Sequence, residues 1–393
     1  MSSTARDLGR LRALAVGASL RRHRKLERAL AALRFVQYDP IRRPERAQDL
    51  ILGQRVEGYR AGDLDRHYPG SELEEDYLYA YGVLDASLAA LLHPRPDKSG
   101  SDRPYRPRGL PADVLAFVRE QAPAHPKDVA AALGRSQAAN DWGGISAATT
   151  RVLEELHYHG LVRVAARANG VKTYEPRSLV ASDLPADERL RQLTLAMATL
   201  LAPIPEPSLR RAVGQLCAAS GGLEAGRGKV VADLVAAGEL EAEEVDGLRY
   251  LAPPGFLHGE PEAAPDGVRF LAPFDPVVWD RRRFEHLWGW AYRLEAYTPS
   301  KRRQFGYYAL PMLWKGRIVG WVNAALTEAG RLDVESGFAG PSLRGRAFRR
   351  AFDLEAARLE AMLGLEAETK ETRATPKTKA RRASLAGVAP GVL

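Results

Sequence analysis

The sequence predicts a mainly α chain with an α+β part: tandem winged helix-turn-helix domains, then a small C-terminal β-barrel and a closing helix. Three observations carry this. Residues 110–176 read as three short helices followed by a hairpin, whose turn is Ala168-Asn169-Gly170; Asn-Gly between two apolar runs is a strong hairpin signal. The same order recurs loosely over residues 186–252, around Asp246-Gly247. From Val268 onward the composition shifts to aromatics and short strand-like runs.

Taken in order, Leu8, Leu11, Leu14, Leu20, Leu26, Leu30 and Leu33 recur near helical spacing, so residues 5–37 are expected to be helical. The pattern stops at Gln37-Tyr38-Asp39-Pro40, because proline disfavours helical geometry at Asp39. A further helix is expected from Pro44 through Leu52 to Val56, and another over 76–92. His93-Pro94-Arg95-Pro96 to Arg108-Gly109 is a Pro-rich linker that closes an N-terminal helical or winged-helix domain, 1–109.

The first clear winged helix is expected at 110–180. Its helices are Asp113–Gln121, Pro126–Leu133 with proline in the first turn, and a third from Ser146 as N-cap through His157. Leu161–Val164 and Val171–Tyr174 form its wing. In such domains the third helix often enters a DNA major groove, although many mediate only protein contacts. A second unit, 181–265, would use helices Asp187–Leu201, Ser208–Ala219 and Gly228–Ala237, with a hairpin of Leu240–Ala242 and Leu248–Leu251. The third region, 266–365, has strand character at Phe305–Leu313, Arg317–Ala325 and Arg331–Glu335, and an amphipathic helix at Phe348–Leu363. Residues 366–393 read as a disordered basic tail.

The 393 residues suffice for roughly two to four domains. A single cysteine, Cys217, excludes an intramolecular disulfide and a Cys-cluster zinc site. No apolar run approaches membrane-spanning length and MSSTARDLGR has no apolar core, so a cytoplasmic protein without membrane contact is expected. Net charge is +8 but segregated: residues 1–34 carry +7, 281–350 carry +9 and 370–382 carry +5, leaving −13 elsewhere. Of 57 basic residues 47 are arginine, whose planar fork suits phosphate oxygens. Clustered cations favour a polyanionic partner, because they release counterions from phosphate backbones.

Most usual sites fail. Gly222 to Gly228-Lys229 has the wrong spacing for a phosphate loop, and Val230 stands where Ser or Thr is needed. His157 and His159 lie two apart, which a helix points to different faces, so no metal is expected. No Gly-x-Ser-x-Gly elbow is present. Gln37 and Asp39 stand out: a carboxylate can activate water and oppose a positive sugar, while a carboxamide both donates to and accepts from that water. The alternative for the same residues is a turn in which Asp39 bonds nearby backbone.

The stretch Phe35-Val36-Gln37-Tyr38-Asp39-Pro40-Ile41, with Arg46-Ala47-Gln48-Asp49-Leu50-Ile51-Leu52 and Arg55, resembles the AlkZ/YcaQ-like bacterial DNA glycosylases. A second block agrees: Pro273-Phe274-Asp275-Pro276, Trp279-Asp280-Arg281, Tyr292, Glu295-Ala296-Tyr297, Pro299 and the run Lys301 to Pro311. Gln37 and Asp39 match the family's Gln-x-Asp catalytic form, similar to its YcaQ branch. Asn323 departs from the Asp expected in relatives.

The resemblance implies a monofunctional, cofactor-free glycosylase acting on double-stranded DNA. It would excise purines alkylated on a ring nitrogen, including interstrand crosslinks, as a nucleoid-associated monomer. Asp39 would supply charge and activate water, and Gln37 would position that water. DNA contacts are expected from Arg43, Arg46, Lys301, Arg302, Arg303, Tyr307 and Tyr308; for the barrel residues the alternative is a solvated strand face with core tyrosines. Arg46 and Arg55 equally suit structural pairing with Asp49 or Glu57. A non-enzymatic winged-helix DNA-binding protein or regulator explains the charge and the wing, but not the Gln-x-Asp block.

Overall fold

In the computed structural model, which describes residues 3–96, 105–134, 137–139, 145–168, 170–178, 180–263 and 265–365, the N-terminal leucine pattern splits. Helix Ser3–Ser19 buries Leu11, Leu14, Ala15 and Val16, and a separate helix, Leu26–Leu33, buries Ala29, Leu30 and Leu33. Arg34 then takes a left-handed conformation (φ 57°), and the chain leaves as the strand Phe35–Gln37. The single helix expected over 5–37 is therefore corrected. Pairing with a distant strand overrides local helical preference.

That distant strand lies where a helix was expected. Residues 76–92 instead contribute to Leu73–Tyr77 and Tyr81–Asp85, and only Ala86–Leu91 is helical, with the Asp85 carboxylate accepting from Leu88 N at 2.9 Å as its N-cap. The three strands form one antiparallel sheet with Tyr81–Asp85 central, and Gln37 lies opposite Gly82. A Cβ at Gly82 would sit 2.3 Å from Val36 O and 2.6 Å from the Phe35 ring, so this approach requires glycine. The helix expected around 44–56 is the shorter Ala47–Gly53.

The middle of the chain follows its sequence pattern more closely. Helices Leu110–Glu120, Pro126–Leu133 and Ala148–Tyr158 precede the hairpin Val162–Ala168/Val171–Pro176. Ser146 is not the N-cap: it lies in the short strand Ile145–Ala147, and Ala147 caps the helix. Asn169 falls outside the described residues. Helices Ala186–Leu200, Glu206–Ser220 and Val230–Ala236 follow, then the hairpin Glu241–Val245/Leu248–Ala252, joined at its edge by Ile204–Pro205.

The expected barrel is corrected to an open sheet. Val268–Phe270, Leu310–Trp314, Arg317–Leu326 and Leu332–Phe338 form four antiparallel strands in that order. Four strands are too few to close around a filled interior, and helix Arg346–Met362 covers one face instead. Phe348 packs against Trp314, and Phe352 against Phe270. The tail expected at 366–393 lies outside the described residues.

One apolar cluster joins Leu30, Val36 and Ile51 to Val164 and Tyr174 of the middle hairpin and to Phe270, Tyr308 and Phe352. The strand carrying Gln37 is thus wedged between segments far apart in sequence. Among the described residues, no helix is long and apolar enough to cross a membrane.

Candidate active site

Strand alternation puts Gln37 and Asp39 on one side and Tyr38 on the other. Tyr38 N still donates to Tyr81 O at 3.0 Å, so extended pairing continues one residue beyond the strand. Asp39 is 7% exposed. Its Oδ1 accepts from Ile41 N at 2.9 Å and its Oδ2 from the Tyr308 hydroxyl at 3.2 Å. Gln48 Oε1 receives the Asp39 N–H at 3.3 Å. The turn expected as an alternative for Asp39 is present, yet it engages only part of the carboxylate's acceptor capacity.

Burial raises the Asp39 pKa above the ordinary carboxylate range, opposed by the hydrogen bonds from Ile41 and Tyr308. No Lys or Arg among the described residues pairs with it. Asp49, ten residues on, makes the contrast. It is 0% exposed and fully engaged, with Arg46 at 2.8 Å, Tyr59 at 2.9 Å and Gly62 N at 2.8 Å. Asp49 is engaged within the fold, whereas Asp39 has no cationic partner among the described residues. Beside it Gln37 Oε1 is shielded from solvent and accepts no hydrogen bond from the described residues. Such an acceptor is suited to ordering a water.

Tyr308 is delivered by a loop that the sequence block around Glu295 builds. The Glu295 carboxylate accepts from the backbone N–H groups of Gln304, Phe305 and Gly306 at 2.7–3.2 Å. Gly306 has φ 126° and lies against Asn323, whose Oδ1 would be 2.2 Å from any added Cβ. Asn323 Nδ2 donates to Phe305 O at 2.7 Å, a bond that the ionised Asp expected at this position lacks the proton to make. Tyr308 is 2% exposed and burial holds its phenol protonated, so it reaches Asp39 as a donor and not as a surface contact.

The opposite side of the motif is clamped by the middle hairpin. Arg167 grips Glu75 through two hydrogen bonds (2.8 and 2.6 Å), and its guanidinium lies 5.0 Å from the Tyr38 ring centre. Lys172 Nζ lies 4.2 Å from the Tyr81 ring centre. Neither residue was singled out in the sequence, because nothing local links them to a motif about 130 positions earlier.

Of the expected DNA contacts, Arg43 and Arg303 both lie by one aromatic ring. Their guanidinium groups lie 6.0 and 5.0 Å from the half-exposed Tyr307 ring. Lys301 and Arg302 are exposed on the turn Ser300–Arg302. Arg46 is different: it is buried and bonded to Asp49 and, at 2.8 Å, to Asp65, so it faces inward. Arg55 is also buried, but its partner is Asp275 and not Glu57. Among the described residues, no group of three His, Cys, Asp or Glu is arranged to hold a metal ion.

The family model described as DNA glycosylase AlkZ-like matches residues 30–362. Among solved structures, the Streptomyces sahachiroi DNA glycosylase AlkZ is similar at a TM-score of 0.60. The match covers 93% of this chain and 98% of that one, at 14% identity, and is a likeness of fold.

Proposed function

Because the chain belongs to the AlkZ-like DNA glycosylase family, we propose that it hydrolyses the N-glycosidic bond of purines alkylated on a ring nitrogen in double-stranded DNA. Interstrand crosslinks joined through such nitrogens fall within the same chemistry. The observation that carries this reading is the buried Asp39 carboxylate, bonded by Tyr308 and Ile41 and unpaired by any described cation.

Alkylation makes the purine a cationic leaving group, so little general-acid help is needed. As the bond to the sugar breaks, its electron pair leaves with the base and positive charge develops on the sugar. Asp39 stabilises that charge, and with Gln37 it orients a water onto the anomeric carbon. The water's proton passes to Asp39 and then to solvent. Arg43, Lys301, Arg302 and Arg303 supply phosphate contacts beside Tyr307; Arg46 is left out because its donors are engaged internally. The helix-and-hairpin units are read as winged helices, and the protein as a monomer working on the nucleoid in the cytoplasm.

The test is incubation of the full chain with duplex DNA carrying 7-methylguanine. Release of free base, leaving an abasic strand that breaks only on heating with alkali and gives no borohydride-trapped adduct, is the expected result. Binding without base release would favour a non-enzymatic DNA-binding protein.

A further inference from the structure

Tyr297 is 89% exposed, more than any other large hydrophobic residue described. Yet its backbone is held firmly. Thr298 N donates to Glu295 O at 3.0 Å, closing a turn with Tyr297 at its tip. Arg303 Nε donates to Thr298 O at 2.7 Å, and the Glu295 side chain binds the 304–306 backbone. The turn and the loop that carries Tyr308 to Asp39 are therefore one fixed unit. Leaving a large aromatic ring in water forfeits its burial, and a rigid turn presents it at little further entropic cost.

The surroundings specify the partner. Lys301 and Arg302 follow on an exposed turn without an ion pair among the described residues, and Arg303 and Arg43 flank the Tyr307 ring. The one carboxylate in the turn, Glu295, is 7% exposed and consumed by backbone donors. An exposed aromatic ring on a turn followed within six residues by Lys301, Arg302 and Arg303 fits phosphates with bases to stack on, and suits an acidic backbone better than another protein surface.

Building on the proposed activity, we infer that Tyr297 is a stacking wedge: it inserts into the DNA duplex beside the damaged nucleotide and holds the helix open while Asp39 acts. Extracting a nucleotide from a paired duplex costs unstacking and unpairing, which an inserted ring offsets.

Single-turnover excision from the full chain tests this on 7-methylguanine in duplex and in single-stranded DNA. Tyr297→Ala should slow the duplex reaction roughly 10- to 100-fold and the single-stranded reaction little, while Tyr297→Phe stays near wild type. Independently of catalysis, Tyr297→Trp should show tryptophan quenching on duplex binding beyond that of wild type. Equal losses on both substrates, an unimpaired Tyr297→Ala enzyme, or no added quenching would each overturn the wedge. If wild type releases no base, the glycosylase reading fails, and the quenching alone decides whether Tyr297 stacks on DNA.

Discussion

Arg55 and Asp275, 220 residues apart in the chain, meet as a two-pronged buried ion pair with N–O distances of 2.7 and 3.0 Å. Arg55 is 1% exposed and Asp275 0%. Arg55 also donates to Ser19 O and Ile51 O, and Asp275 accepts from Val277 N. The pair fastens the two sequence blocks to each other. Asp275→Asn keeps the shape but leaves Arg55 charged and buried, and is expected to cost about 3–5 kcal/mol. A chemical denaturation midpoint within error of wild type would refute that.

Asp39→Asn is expected to lower excision about 100- to 1,000-fold with DNA binding nearly unchanged. The stability sign separates catalysis from structure. Since burial raises the folded pKa of Asp39, its contribution to stability is present at low pH and lost as pH rises through that pKa. At neutral pH the charge therefore costs stability, and the asparagine variant should melt no lower than wild type. Lower melting with unchanged activity per folded molecule would make Asp39 a structural turn residue.

Tyr308→Phe removes the hydroxyl that steadies the ionised form of Asp39. The carboxylate pKa should then rise further, moving the acid limb of the kcat/KM profile to higher pH. Above that limb activity should recover. An unmoved limb would mean that Asp39 is not the group being titrated.

Phosphate neutralisation should make binding steeply salt-dependent. If six or more phosphates are contacted, affinity falls on the order of 1,000-fold between about 50 and 200 mM salt. Lys301→Ala and Arg302→Ala should each reduce the log–log slope by about one, with no such change for Arg46→Lys. Fluorescence anisotropy over a salt series reads all three.

His157 is buried with Nε2 donating to Glu75 O at 2.8 Å, and burial lowers its pKa to about 4; His93 is likewise held at about 4. Both are neutral in the fold and take up a proton on unfolding once pH drops below about 6.5. Stability is therefore full above pH 6.5 and falls by about 1.4 kcal/mol per pH unit per histidine toward pH 4. His157→Gln should flatten the dependence by one proton, measured by urea unfolding at successive pH values.

The middle helices were legible because their signals are local: a proline opening Pro126–Leu133 and a hairpin turn at Asp246-Gly247 need no distant partner. The motif's own strand was not, since three residues cannot display a period and its extended form depends on Gly82. Leu73–Tyr77 was hidden for a different reason. Glu74, Glu75 and Asp76 are all buried, which erases the alternation that marks a strand. They are tolerated only because Arg163, Arg167 and Arg95 pair with them. The strands after residue 310 were readable, but whether they close depends on pairing that no local signal encodes. Gln37 and Asp39 were singled out as candidates through the block around them, whereas Tyr308's bond to Asp39 required the folded chain.

Helix Arg346–Met362 reaches back to the motif's neighbourhood: Glu355 accepts from Gln54 at 2.7 Å, Arg358 donates to Gly53 O at 2.6 Å, and Met362 O accepts from Ala61 N at 2.8 Å. During translation, Asp39 leaves the ribosome more than 300 residues before this brace is complete. A nascent chain that has not yet reached this helix therefore holds the Asp39 carboxylate without the brace on its neighbouring elements, and before residue 308 without the Tyr308 hydroxyl as well. The support around the motif is therefore complete only once synthesis has passed Met362, and a chain truncated before that helix is expected to show no base release in the duplex assay.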